Sequence, residues 1–255
     1  MTQTIGIIGA GHLVKHMMPA MVKTGYRFIV SERGRATSEY LAGHYGAEIF
    51  TDNQAIVNEA DIVILAVRPF DAVSVCEGLT FGERQTVLSL CAGIGSAELR
   101  PVIAPARLVM AMPVVAAQFG ESPTLMFPQD EPCRHLLAPC GPVLALNSEA
   151  DFGPASTIAC YYGWVQELIG EMTGWVSSHG VDEETARLLV AQMTRAAATT
   201  VRDRPEDSIR DLVDELATPR SFTLKGLEVL READAFTPWK NAAAALCPRR
   251  RHEKG

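Results

Sequence analysis

No stretch of this 255-residue chain approaches the roughly 20 consecutive apolar residues that a membrane-spanning helix requires, so none is expected. The N-terminus runs into an apolar strand with no basic region ahead of it. A secretory leader is therefore not expected, and a cytoplasmic location is. Positive charge is in deficit, with 23 Lys and Arg against 30 Asp and Glu and a net charge of -7. That balance disfavours a general nucleic-acid-binding surface. The single basic run, Arg249-Arg250-Arg251-His252, reads as a solvated terminus. The six cysteines (Cys76, Cys91, Cys133, Cys140, Cys160, Cys247) contain no Cys-x-x-Cys and are scattered, as reduced thiols would be. Cys133, His135 and Cys140 lie close together, but Pro132, Pro139 and Gly141 make that stretch read as a loop. No second ligand pair follows, so no metal is expected. Internal repeats, low-complexity linkers, a Ser/His/Asp triad and a paired-carboxylate site are likewise missing. At 47% hydrophobic and 21% charged, the composition is that of a globular protein of one large or two modest domains.

What is present starts at once. Thr4-Ile5-Gly6-Ile7-Ile8 runs straight into Gly9-Ala10-Gly11, and a helical pattern follows. Gly9 permits a tight turn, Gly11 lets a pyrophosphate approach the backbone, and the opening helix offers free N–H groups. Gly9, Gly11, His12 and Leu13 are the expected phosphate contacts. The third fingerprint position, usually Gly or Ala, is Val14.

Short Val/Ile/Leu-rich runs at Ile5–Ile8, Arg27–Val30, Ile62–Val67, Thr86–Cys91 and Arg107–Met112 read as parallel strands buried on both faces. Helical patterns at 12–24, 36–45, 53–59, 70–77 and 96–102 alternate with them, and further strands are expected at Thr124–Phe127 and Val143–Leu146. The pattern is that of an α/β doubly wound sheet. From about Pro154 long helical patterns take over, at 155–179, 182–203, 208–217, 223–233 and 238–246. The expected organisation is a dinucleotide-binding domain over residues 1–153 and an all-helical domain over 154–255. The helical part is more apolar than a free-standing bundle needs, which suggests a buried subunit interface.

The expected ligand contacts lie at the carboxyl ends of the strands. Ser31-Glu32-Arg33-Gly34-Arg35 follows the second strand, where the adenosine ribose is met. Glu32 favours NAD, whereas Ser31, Arg33 and Arg35 favour the 2′-phosphate of NADP, the preferred reading. A solvated loop with ordinary surface charge is the alternative. Ala66-Val67-Arg68-Pro69, Ala92-Gly93-Ile94 and Met112-Pro113 end later strands.

Gly9-Ala10-Gly11, Ala66-Val67-Arg68-Pro69, Ala92-Gly93-Ile94 and Met112-Pro113, continued through Gly180-Val181, Ala191-Gln192 and Asp214–Pro219, resemble the pyrroline-5-carboxylate reductase family over nearly the whole chain. That resemblance implies an NAD(P)H-dependent cyclic imine reductase. It also implies a Rossmann domain, a helical domain intertwined with a partner subunit, and a homodimer with its active site between domains and subunits.

The departures fall on the substrate side. Val114-Val115-Ala116 stands where the family has Asn-Thr-Pro, and Tyr161, Tyr162 and Trp164 stand among its small residues. Thr218-Pro219-Arg220-Ser221-Phe222-Thr223 replaces a Pro-Gly-Gly-Thr-type loop, with Thr223 on the family's substrate-contacting threonine. Thr223 is the leading candidate for a hydrogen bond to the imine nitrogen, followed by Ser221 and Tyr161. Arg220, with Tyr162, Trp164 and Val114, is the candidate substrate surface. Arg220 is either a bidentate carboxylate anchor or a surface charge. The aromatics are either pocket walls or core and interface packing. His12 and His179 are further possible proton donors. The expected function is reduction of a C=N bond in a small cyclic imine or imino acid. The alternatives are a keto or amino acid dehydrogenase on the same fold, and a dinucleotide-binding sensor or partner subunit without catalysis.

Overall fold

The structure, a computed structural model, describes residues 3–247, and the basic run at 249–252 lies outside the described residues. The chain divides into two compact units, residues 1–159 and 160–255. The first unit runs β1 (Thr4–Ile8), α1 (His12–Met21), β2 (Arg27–Ser31), α2 (Arg35–Tyr45), β3 (Glu48–Phe50), α3 (Asn53–Glu59), β4 (Ile62–Leu65), α4 (Ala72–Cys76), β5 (Thr86–Ser89), α5 (Ser96–Ile103), β6 (Arg107–Met112), β7 (Thr124–Phe127), α6 (Glu131–Leu137), β8 (Val143–Ala145) and α7 (Glu149–Thr157). The strands form one sheet in the order β3-β2-β1-β4-β5-β6-β7-β8. The first six are parallel and reverse order at the β1/β4 boundary, the point where open α/β sheets bind ligands.

Alternation along the strands divides the core between the two faces. Ile5 and Ile7 of β1 and Ile62 and Ile64 of β4 pack with Met17, Met18 and Met21 of α1 and Leu136 and Leu137 of α6. Ile8, Val63 and Leu65 pack on the other face with Ile56 and Val57 of α3 and Leu99 and Ile103 of α5. Strands buried on both sides carry continuous apolar runs, and that is why they are readable in the sequence. Val14, the departure from the glycine fingerprint, is 1% exposed and belongs to the first of these clusters.

Several elements differ from expectation. β3 is a three-residue edge strand, mostly exposed, with too few apolar residues to register. β7 pairs antiparallel with β6, an orientation that strand composition does not encode. The Cys133–Cys140 stretch, expected to be a loop, begins as α6. Asp130 caps it by accepting from the Cys133 N–H at 3.0 Å, and Pro132 lies in the first turn, where its missing N–H costs nothing. Cys133 and Cys140 are fully buried, and burial pushes the Cys140 thiol up to about 12. The helix expected from residue 155 starts earlier, as α7, under a Ser148 cap, and is interrupted by a 3-10 turn at Ile158–Cys160.

Among its described residues the second unit is all helical: α8 (Tyr161–Ser178), α9 (Glu183–Asp203), α10 (Ile209–Leu216), α11 (Phe222–Glu232) and α12 (Thr237–Leu246). Asp182 caps α9 through the Thr185 N–H at 2.9 Å, and Ser208 caps α10 through the Asp211 N–H at 3.1 Å. No helix among the described residues is long and apolar enough to cross a membrane.

The tightest helix–strand approach is at Gly6, where a β-carbon would lie 2.6 Å from Ile56 Cγ2 and 2.9 Å from Ala60 Cβ. Gly6→Ala forces α3 away from β1 and should destabilise the first unit by about 1–3 kcal/mol in urea unfolding. Unchanged stability would show that α3 is not seated on β1 in this way.

Candidate cofactor and substrate site

Three segments converge at the carboxyl end of the sheet. The first is the turn after β1. Gly9 has φ +97, and a β-carbon there would lie 2.7 Å from Val67 Cγ1 and 2.8 Å from the Ala66 carbonyl carbon and oxygen. Only glycine meets both demands. The Gly11 N–H donates to the Gly9 carbonyl at 2.9 Å, closing the turn. Gly11 is the N-cap of α1 and supplies no side-chain cap, and its β-carbon position is open, with nothing within 4 Å. His12 is exposed and Leu13 half-buried in the first turn of α1, and the His12 and His16 rings lie 4.3 Å apart. An uncapped helix start with open space in front of it suits a phosphate.

The second segment is the loop after β2. The Gly9 N–H donates to Ser31 Oγ at 3.1 Å, and Ser38 Oγ donates to the Ser31 carbonyl at 2.7 Å. Ser31 is therefore a buried brace for the glycine turn, 3% exposed, rather than a side chain presented to solvent. Gly34, at φ +94, presses on the turn from the same side, since a β-carbon there would lie 2.8 Å from the Ala10 carbonyl oxygen. Glu32, Arg33 and Arg35 are exposed at the rim. Arg35 Nε pairs with Glu39 at 2.8 Å within α2, and Arg33 Nη2 reaches Asp71 at 3.5 Å.

That last contact ties in the third segment, the turn after β4. The Ala66 N–H donates to the Ile8 carbonyl at 2.9 Å, holding Ala66-Val67 beside the glycine turn, while Arg68 is exposed and Pro69 half-buried. Cys91, just past β5, donates its thiol to the Leu65 and Val67 carbonyls at 3.4 Å each. Burial raises its pKa, so it serves as a neutral donor that pins this turn. Ala92 and Gly93 are exposed beyond β5, with Gly93 at φ +78. Met112 ends the neighbouring β6, and Pro113 leads to Val114, whose N–H donates to Ser122 Oγ at 2.9 Å. Among the first-unit candidates, the structure thus brings together Gly9, Gly11, His12, Leu13, Ser31–Arg35 and Ala66–Pro69, with the Ala92-Gly93 and Met112-Pro113 pairs ending adjacent strands.

The second unit holds the substrate-side candidates. Thr218–Ser221 is a turn closed by the Ser221 N–H donating to the Thr218 carbonyl at 2.9 Å. Pro219 is its second residue and Arg220, at φ +70, its third. This is a type II turn, which ordinarily asks for glycine at the third position. Arg220 therefore occupies a glycine conformation. Ser221 caps α11, its Oγ accepting from the Leu224 N–H at 3.1 Å, so one lone pair of this candidate is committed to the fold. Thr223 is exposed in the first turn of the same helix.

Tyr161 and Trp164 meet each other and Trp239 edge to face, with ring centroids 5.7–6.5 Å apart, and Tyr162 is half-buried beside them. Trp164 and Trp239 also line a cavity of about 400 Å³ between α8 and α12, with Glu167 and Glu171 on its wall. Trp239 escaped sequence reasoning because its partners are three helices distant. Gly34 and Cys91 carried no motif, although a glycine in a strand–helix loop was a usable signal.

Comparison with known proteins fits this arrangement. Residues 4–93 match the family described as "NADP oxidoreductase coenzyme F420-dependent", and residues 153–253 match "Pyrroline-5-carboxylate reductase dimerisation". The pyrroline-5-carboxylate reductase of Vibrio alginolyticus is 26% identical over 245 residues, covering 89% of each chain. That of Methanosarcina acetivorans is 27% identical over 256 residues, covering 94% of each. The chain belongs to the pyrroline-5-carboxylate reductase family. The family fold extends to solved structures. The reductase of Streptococcus pyogenes superposes with a TM-score of 0.86 at 22% identity, covering 96% of this chain and 97% of that one. The Plasmodium falciparum reductase, solved with NADP bound, gives 0.84 at 18% identity, covering 96% and 95%.

For a pyrroline-5-carboxylate reductase family member the Arg220 turn is strained. The left-handed conformation costs a non-glycine residue about 1–2 kcal/mol. Glycine at this position recovers that, less its greater chain entropy when unfolded. Arg220→Gly should therefore raise stability by up to about 1 kcal/mol in urea unfolding. A clear loss would mean that Arg220 makes stabilising contacts that outweigh its backbone.

Proposed function

We propose that this protein is a homodimeric NAD(P)H-dependent reductase of the C=N bond in a small cyclic imine or imino acid, with pyrroline-5-carboxylate the first substrate to test. The observation that carries the reading is the Thr218–Ser221 turn. Its third residue, Arg220, holds a left-handed conformation that ordinarily belongs to glycine, and it leads into the capped start of α11, where Thr223 is exposed. A loop without a role has no reason to hold arginine in that conformation.

The cofactor side supports a dinucleotide. The open ground before Gly11 and the uncapped start of α1 receive the diphosphate. Arg33 is held only by a 3.5 Å contact between exposed groups, worth little, so its guanidinium is free to turn to a 2′-phosphate. Arg35 adds a second cation, and Glu32 is the opposing influence toward NAD; the two arginines favour NADP. Val67, Arg68, Pro69, Ala92, Gly93, Met112 and Pro113 continue the crevice along the strand ends. The bound nicotinamide supplies the hydride.

The chain's own part is orientation and proton supply. Thr223 donates a hydrogen bond to the imine nitrogen, which polarises the C=N bond toward hydride attack. Ser221 still has its hydroxyl proton to offer while its oxygen caps α11, and Tyr161 is the further donor. Arg220 anchors a substrate carboxylate through its guanidinium, replacing the backbone N–H groups that a glycine pair would present. Tyr162 and Trp164 bound the ring. In the second unit Leu188 is 69%, Met193 65% and Leu216 66% exposed in the single chain. A second copy that covers such side chains accounts for them, and it is the partner proposed here.

Steady-state NADPH oxidation with pyrroline-5-carboxylate and larger cyclic imines tests the reading. Turnover is expected. Arg220→Ala should raise KM about ten-fold or more for carboxylate-bearing substrates and leave kcat nearly unchanged. Thr223→Val should lower kcat on the order of ten-fold. Tight NADPH binding without turnover of any cyclic imine would overturn the proposal.

A further inference from the structure

We propose that Phe70 is the stacking surface for the adenine ring of the dinucleotide, an inference that rests on the cofactor reading above. Phe70 is 95% exposed, the most exposed large apolar side chain among the described residues. It packs in neither core cluster. Its backbone, by contrast, is fixed. It occupies a one-turn 3-10 segment, Pro69–Asp71, closed by the Asp71 N–H donating to the Arg68 carbonyl at 2.9 Å. Ser74 Oγ donates to the Asp71 carbonyl at 3.1 Å, and Ala72 is fully buried immediately behind. A rigid turn that holds an aromatic ring out in water is costly unless something covers the ring.

Its location says what covers it. The turn follows β4, next to β1 in the sheet, and faces the loop after β2, as the Arg33–Asp71 contact shows. In a sheet of this order the adenosine half of a dinucleotide lies over the end of β2. The ribose and its phosphate fall to Arg33 and Arg35, and the base must then rest on the turn beside them. Every nucleobase presents a π-face, and an aromatic side chain is its usual platform. Arg33 and Arg68 flank Phe70 with cations, which suits a phosphorylated adenosine better than an apolar partner surface.

Calorimetric binding of NADPH, 2′,5′-ADP and reduced nicotinamide mononucleotide to the full-length protein, with Phe70→Ala and Phe70→Trp, tests this. Phe70→Ala should weaken NADPH and 2′,5′-ADP by the same factor, on the order of ten-fold. The nicotinamide mononucleotide should be unaffected, and the Trp variant should restore binding and show fluorescence quenching with 2′,5′-ADP. Thermal melting should not change, because the ring touches no core residue. Wild-type binding of NADPH that Phe70→Ala leaves intact overturns the inference and spares the cofactor reading. Absence of NADPH binding by the wild type overturns both. A Phe70→Ala protein that loses its dimer in sedimentation, with 2′,5′-ADP affinity unchanged, shows the ring to be an interface contact and also overturns the inference.

Discussion

The backbone of Gly9 lies so close to Ala66 and Val67 that no side chain fits, and the rest of the first unit is arranged around that approach. The ends of β1 and β4 are brought together at the point where the sheet reverses order. Ser31 holds the turn from β2 through the Gly9 N–H, Cys91 holds the Ala66-Val67 segment from β5, and Gly34 brings the β2–α2 loop against Ala10. Each contact uses a backbone group at a strand end. Together they keep the start of α1 uncapped and accessible, and that is the feature to which the proposed function assigns the dinucleotide's diphosphate.

The substrate side follows a different logic. There a turn conformation that ordinarily belongs to glycine is occupied by arginine. Arg220 adopts φ +70 at a steric cost, and under the proposed function its guanidinium takes the part of backbone N–H donors. Ser221 takes over the capping of α11. The aromatic trio Tyr161, Trp164 and Trp239 stiffens one region of the helical unit without adding a charge. Under the proposed function, such residues govern which molecule is held more than they govern hydride transfer, because the cofactor carries that step.

Legibility in the sequence followed burial. β1, β4 and β5 are buried at every residue and rich in Ile, Val and Leu because both faces are covered, and they are readable along with the helices between them. β3 was not, because an exposed three-residue edge strand needs no apolar run. α6 was hidden by prolines that suggest a loop but are harmless in a first turn. The reversed direction of β7 left no trace in composition. In the site, the glycine turn and the strand-end motifs were visible as types and spacings. The roles of Ser31 and Cys91 as braces were not, since they depend on which backbone groups the fold delivers to them. The strain at Arg220 became visible only once the turn type was known.

The most direct test of this account is NADPH affinity in Gly11→Ala. The apo protein has room for that change: Gly11 has φ -105, which any residue adopts, and its β-carbon would meet nothing within 4 Å. A ligand lying against this backbone would meet the added methyl directly. Unfolding stability should fall by no more than about 1 kcal/mol, the preference for glycine over alanine at an N-cap, while NADPH affinity falls by about ten-fold or more. Undiminished NADPH affinity in the folded variant would contradict the assignment of this turn to the dinucleotide.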